Sequence, residues 1–154
     1  MIDISSFWTF ARQCLSLKSI DHDQMYGYQC TDLIKYYLTI YHKGIWPFVF
    51  GWFARLGIQN KKLLGDVDKK FVRVSNKAHN YPYAGDIVFR DAYKGNPDGH
   101  VAIAMDGCNK YKLYVIEQNA GAGMGDGQWT DCVRKHTYDY IKPGPIAWWF
   151  HYIG

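Results

Sequence analysis

No stretch of this sequence is long and apolar enough to cross a membrane. The longest candidate, Ile45 to Leu56, is too short and carries Pro47 and Arg55, so membrane insertion is not expected. The amino terminus, Met1 to Phe10, has neither a basic start nor an extended apolar run, and so lacks the marks of a secretory signal. The expectation is a chain made in the cytoplasm that reaches any outside target by another exit. There is no Lys/Arg run of the kind that tracks a phosphate backbone, which argues against nucleic acid as a partner. None of the four cysteines, Cys14, Cys30, Cys108 and Cys132, has a CxxC spacing, which excludes a zinc knuckle and a thioredoxin motif. With no signal for an oxidising compartment, free thiols are expected. Repeats, linkers and low-complexity tracts are absent as well. The 154 residues therefore read as one domain over 1–154, expected to be a monomer with no separate binding domain.

What is present suits a folded enzyme. Hydrophobic residues make up 48% of the chain and aromatic residues 18%, enough for a core. Some Tyr and Trp are left for a groove that binds sugars or peptides, because their rings combine flat apolar area with a polar handle. The net charge of +4, from 18 basic and 14 acidic residues, is mild. It would favour approach to an anionic polymer.

The patterning changes along the chain. Ser5 or Ser6 can cap a first helix running to about Leu17, with Phe7, Phe10, Ala11 and Cys14 on one stripe. A polar, turn-like stretch from Ser19 to Gln29 follows. A second helix is expected from Cys30, with Leu33, Ile34, Tyr37, Leu38 and Tyr41 at three- and four-residue spacing and Gly44 near its end. One or two short helices are expected within Ile45 to Leu64. From Phe71 onward the runs are short and β-branched. The strands expected are Phe71–Val74, Asp86–Phe89, His100–Met105, Leu113–Glu117, Val133–Tyr140 and Ala147–Tyr152. Helices first and antiparallel strands later make an α+β domain, with the N-terminal helices packed on an antiparallel sheet.

Cys30 stands where a loop meets the second helix. Unpaired N–H groups at a helix start favour a thiolate over a thiol, and the thiolate is the nucleophile. A lone cysteine there is also a common core residue. His100 opens an apolar strand after Gly95-Asn96-Pro97-Asp98-Gly99, and its strand face continues with Ala102 and Ala104. Such small side chains would leave space for a helix end, so that a histidine there would accept the Cys30 proton and return it to a leaving amine. His22, His42, His79, His136 and His151 lack such a setting. A base of this kind needs a partner on its other ring nitrogen. Glu117 and Asn119, two apart at the end of Leu113-Tyr114-Val115-Ile116 and so on one strand face, are the best placed candidates.

Four segments together resemble the CHAP family of cysteine/histidine-dependent amidohydrolases and peptidases. They are Tyr28-Gln29-Cys30-Thr31-Asp32-Leu33, Gly85-Asp86-Ile87-Val88-Phe89, Gly99-His100-Val101-Ala102-Ile103 and Val115-Ile116-Glu117-Gln118-Asn119, and the likeness runs from Asp21 to Trp148-Trp149-Phe150. Each segment is weak alone; the combination is specific. The resemblance implies a papain-like fold, with Cys30 as nucleophile, His100 as base, and Glu117 and Asn119 orienting the histidine. It is nearest to the CHAP domains of endolysins from phages of Gram-positive hosts. The implied partner is Gram-positive cell-wall peptidoglycan, and the implied reaction is hydrolysis of an amide bond in its peptide. Either a D-alanyl-glycyl-type bond or the N-acetylmuramoyl-L-alanine bond fits. A transglutaminase-like transferase and a wall-binding or tail module without chemistry are the alternatives, and the intact set of four residues speaks against the latter.

A metal loop precedes the nucleophile. Counting Asp21 as position one, acids fall at one, three and twelve (Asp21, Asp23 and Asp32), and Met25 and Gly27 fall where backbone carbonyls would serve. This is an EF-hand-like schedule, except that Tyr26 stands for the turn glycine and Asp32 for the bidentate glutamate. Spacing alone leaves a solvated acidic turn open. The resemblance implies a structural calcium ion bracing the loop that presents Cys30, and all-oxygen ligands argue against zinc.

Overall fold

The computed structural model describes residues 4–25, 27–42, 70–77, 80–92, 97–119, 133–139 and 146–154. The helices anticipated within Ile45–Leu64, His79 and Cys132 lie outside these residues. Helix α1 spans Ile4–Ser16 and α2 spans Cys30–Tyr36, after which the chain widens into a π-helical turn, Tyr37–Tyr41. The strands are β1 (Phe71–Ser75), β2 (Ile87–Arg90), β3 (His100–Ala104), β4 (Lys112–Glu117), β5 (Arg134–Asp139) and β6 (Ile146–Tyr152). They form one six-stranded sheet in the order β1-β6-β2-β3-β4-β5, antiparallel at every pairing. All six anticipated strands are present, with ends shifted by one or two residues. Helix α1 starts earlier than capping by Ser5 or Ser6 required: both lie inside it.

Alternation along the strands sorts the side chains into two apolar layers. One face packs against the helices: Phe7, Phe10, Ala11 and Cys14 of α1 and Leu33, Ile34, Tyr37 and Leu38 of the second helical stretch meet Ile87, Phe89, Val101, Ile103, Ile116, Trp148 and Phe150. The other face carries a smaller cluster of Val88, Ala102, Ala104, Leu113, Val115, Ile146 and Trp149. Ala102 and Ala104 therefore do not make room for the helix end as the sequence implied. Period two places them correctly with respect to each other, but strands apolar on both sides do not reveal which side the helices cover.

Helix α2 lies against β3, so the first residue of each, Cys30 and His100, falls at the same end of the domain. Phe89 anchors this layer, stacked on Trp148 with centroids 4.4 Å apart and meeting Phe150 edge-on at 5.7 Å. Phe89→Ala should cost about 3–5 kcal/mol through lost burial and an unfilled cavity, read as a lowered urea midpoint with an unchanged slope.

Candidate active site

A short helix start and a strand start carry the two candidate catalytic side chains, Cys30 and His100. Gln29 is the N-cap of α2, in extended conformation, and its N–H donates to Asp32 Oδ2 at 2.9 Å. This half of a capping box fixes the angle at which the chain enters the helix at Cys30. Cys30 itself is partly exposed, while His100 is buried. His100 Nε2 lies 3.2 Å from Glu117 Oε2, which leaves Nδ1 as the ring atom for the thiol. Nδ1 is buried without a hydrogen-bond partner of ordinary geometry. Such contacts are often loose before substrate binds. Burial alone would lower the His100 pKa, but hydrogen bonding and charge from Cys30 and Glu117 more than reverse this and push it up to about 9. Both contacts thus favour a proton arriving on the ring.

Glu117 has no exposed surface. Both carboxylate oxygens are held. Oε2 receives His100 Nε2 and the Tyr138 hydroxyl, and Oε1 lies 3.2 Å from Arg134 and 2.8 Å from His136 Nδ1. Burial opposes ionisation, yet His100, Tyr138 and His136 together hold the carboxyl down at about 2. The three β5 residues come from one strand face, Arg134, His136 and Tyr138, in a strand that pairs Glu117 with Arg134. Sequence reasoning missed them, and it set His136 aside. The signal available was the alternation of polar groups on a strand beside a strand ending in a buried acid.

Asn119 departs from expectation. It lies beyond the end of β4 in a left-handed conformation with φ 52°, so period two no longer applies to it. Its Nδ2 donates to Gln29 Oε1 at 3.3 Å. Asn119 therefore supports the residue before the nucleophile, and Glu117 is the group on the histidine.

Gln118, between them, was also missed. It is fully buried, and its amide holds both ends of the polar loop. Nε2 donates to Ile20 O at 2.7 Å and Gln29 O at 2.9 Å, and Oε1 accepts from Ile20 N at 2.7 Å.

Within that loop the three anticipated acids converge. Asp21, Asp23 and Asp32 each place an oxygen within 4.8 Å of the others. Asp21 Oδ1 and Asp32 Oδ1 are buried without hydrogen-bond partners, which is what a site shaped for a cation would leave. Lys35 enters from the next turn of the helix, ion-paired to Asp23 and 3.9 Å from Asp32 Oδ1. Burial first, then the charges of Asp23 and Asp21, lift Asp32 to about 6 against the pull of the Gln29 N–H and Lys35. The Met25 N–H donates to Asp23 Oδ1 at 2.9 Å, and Gly27 takes φ 71°, the positive φ that a tight turn needs at this point. The donor set is all oxygen and fits a hard cation such as calcium. Of the remaining thiols, Cys14 is in the core and Cys108 is tied to Met105 O, at 3.2 Å, beside β4. Burial pushes them up to about 12 and about 11 respectively. Both are free, as is Cys30.

With this geometry in view, comparison with known proteins is decisive for the family. The CHAP domain family model matches residues 20–119, a span holding every residue of the site except those of β5. The chain belongs to the CHAP family. Among solved structures it is similar to the wild-type endolysin LysIME-EF1, with a TM-score of 0.73 and 16% identity over 98% of this chain and 64% of that one. It is also similar to Ly7917, with a TM-score of 0.63 and 19% identity over 98% and 63%, and to Ly7917 with the hydrolyzing product of MDP, with a TM-score of 0.62 and 18% identity over the same shares. At these identities the likeness is one of fold, and this CHAP chain spans a little under two thirds of those proteins. No curated protein matches the sequence.

Because Gln118 alone pins both loop ends, Gln118→Leu should strand buried backbone groups at Ile20 and Gln29. The expected cost is roughly 2–4 kcal/mol, seen in chemical denaturation and as faster amide exchange in residues 20–30.

Proposed function

We propose that this CHAP domain is a peptidoglycan hydrolase that cleaves an amide bond of the cell-wall peptide through Cys30 and His100. The observation that carries the reading is the order Cys30–His100–Glu117: a partly exposed thiol, a buried imidazole, and a buried carboxylate on the far ring nitrogen. His100 Nδ1 takes the Cys30 proton, and the thiolate attacks the scissile carbonyl carbon to give a tetrahedral oxyanion. The Cys30 backbone N–H, at the first turn of α2, is one donor for that oxyanion. His100 then gives its proton to the leaving nitrogen as the C–N bond breaks, leaving a thioester. Water, deprotonated by His100, attacks the thioester and releases the acid and the thiol. Glu117 keeps the ring in the tautomer with hydrogen on Nε2 and stabilises the imidazolium. Asn119 acts through Gln29 on the nucleophile's side of the site.

The substrate in this reading is Gram-positive peptidoglycan, with a D-alanyl-glycyl-type bond favoured over the N-acetylmuramoyl-L-alanine bond by analogy with related endopeptidases. Among the described residues no helix is long and apolar enough to cross a membrane. Cys30→Ala and His100→Ala should each abolish release of new amino groups from purified walls while the folded state persists in circular dichroism. Cys14 and Cys108 should tolerate serine with activity kept. Solubilisation of walls by Cys30→Ala at the wild-type rate would overturn the mechanism, and mass spectrometry of the fragments names the bond.

We further propose that Asp21, Asp23 and Asp32, with backbone carbonyls of Met25 and Gly27, hold a structural calcium ion that takes over the neutralising role of Lys35. Bound calcium would supply charge compensation to the loop; the proton chemistry belongs to Cys30 and His100. Chelator should lower the melting temperature, and calcium at 100 times its Kd should add about 2.7 kcal/mol of stability. Asp23→Ala should remove that response. A melting temperature indifferent to both chelator and calcium would reduce the loop to an acidic turn.

A further inference from the structure

The family match ends at Asn119, but the carboxylate behind the histidine is also met by a strand that begins fifteen residues later. A carboxylate with no exposed surface needs its charge and its lone pairs answered by the protein. His100 answers one oxygen only, and only in one direction. The rest comes from β5. Tyr138 donates its hydroxyl to Oε2, the same oxygen that receives His100 Nε2. Arg134 Nε and His136 Nδ1 reach Oε1 at 3.2 and 2.8 Å.

The ring of Tyr138 is itself held in place. His136 stacks on it at 4.2 Å with planes 4° apart. From β2, where Arg90 is in register with His100, the Arg90 guanidinium carbon lies 3.8 Å from the Tyr138 ring centroid, a cation–π contact. These two contacts hold the ring where its hydroxyl meets Glu117 Oε2. The hydroxyl therefore fixes Oε2 in turn.

We propose that Tyr138 is a positioning residue of the reaction, holding Glu117 Oε2 on His100 Nε2, and that Arg134 is the counter-charge that divides the Glu117 charge with His100. The proposal rests on the Cys30–His100 reading above. Its chemical content is that the two β5 residues act on the histidine in opposite senses. Without the Tyr138 hydroxyl, Oε2 keeps its contact with His100 Nε2 but loses the donor that holds it there, and the imidazolium loses support. Without the Arg134 charge, the whole carboxylate charge falls to His100, and the imidazolium gains support. Among the described residues, the other ionisable groups facing this cluster are Cys30 from α2, Arg90 from β2 and His136 from β5, whose Nδ1 also lies 3.1 Å from Arg134 Nη2.

The test compares Tyr138→Phe and Arg134→Met with the wild type in two measurements. One is the pH profile of wall solubilisation. The other is the His100 titration by nitrogen NMR of labelled histidine, which needs no substrate. Tyr138→Phe should lower the solubilisation rate by roughly tenfold to 100-fold, as small misplacements at a reacting centre do. It should also move the alkaline limb and the His100 titration to lower pH. Arg134→Met should move both to higher pH. A His100 titration unchanged in both variants, or shifted the same way in both, overturns the proposal. If Tyr138→Phe does not fold, a downward or absent shift in Arg134→Met overturns it alone. Failure of the underlying reading looks different: walls would be digested by Cys30→Ala, or not digested by the wild type, whatever the histidine titration does.

Discussion

The Glu117 carboxylate is the constraint around which the Cys30–His100 end of this domain is arranged. Placed without solvent at the end of a central strand, it is tolerable only with donors on both oxygens. Those donors come from β3 and β5, the strands on either side of β4. The hydrogen-bond demand of a single buried charge thus joins three strands and fixes the ring plane of His100. The stabilisation of a proton on that ring near the Cys30 thiol follows from the same contact. Were the site of Glu117 apolar, a buried histidine would be pushed towards the neutral form, and nothing would specify which nitrogen carried the hydrogen.

A second charged cluster lies on the other side of the nucleophile and is built on the opposite plan. Asp21 and Asp23 of the loop and Asp32 of α2 repel one another, and Lys35 answers them. Two of their oxygens are left buried and unmatched. At Glu117 the donors are supplied by the fold; at the loop they are short by about one cation. Cys30 sits between an electrostatic cluster that is complete and one that is not, with the Gln29–Asp32 bond joining the second to the helix that carries it.

The backbone plan was legible in the sequence because it rests on local signals. Strand lengths follow β-branched runs punctuated by Gly, Pro, Asn and Asp, and the stripe of Phe7, Phe10, Ala11 and Cys14 is buried as its spacing required. Cys30, His100 and Glu117 were legible because each begins or ends an element. What escaped were relations between elements. Strands apolar on both sides, such as Val101-Ala102-Ile103-Ala104, do not say which face the helices cover. Asn119 left the strand face because one left-handed residue breaks the period. Tyr138, Arg134 and His136 looked like ordinary surface alternation until the register of β4 with β5 put them on Glu117. Gln118 carries no pattern of its own, since a buried amide is recognisable only by the backbone groups it meets.

That amide has a consequence for how the domain tolerates change. Ile20 and Gln29 are held together by one side chain, so the residues between them form a closed bight whose two ends are fixed independently of its contents. Closing entropy grows only slowly with the length of such a bight. Residues added, lost or exchanged within 21–28 would alter its affinity for a cation while leaving the entry to the helix where Gln118 holds it. The acidic loop is, in this sense, a replaceable cassette hung from a fixed buckle, free to diverge faster than the Cys30–His100 end beside it.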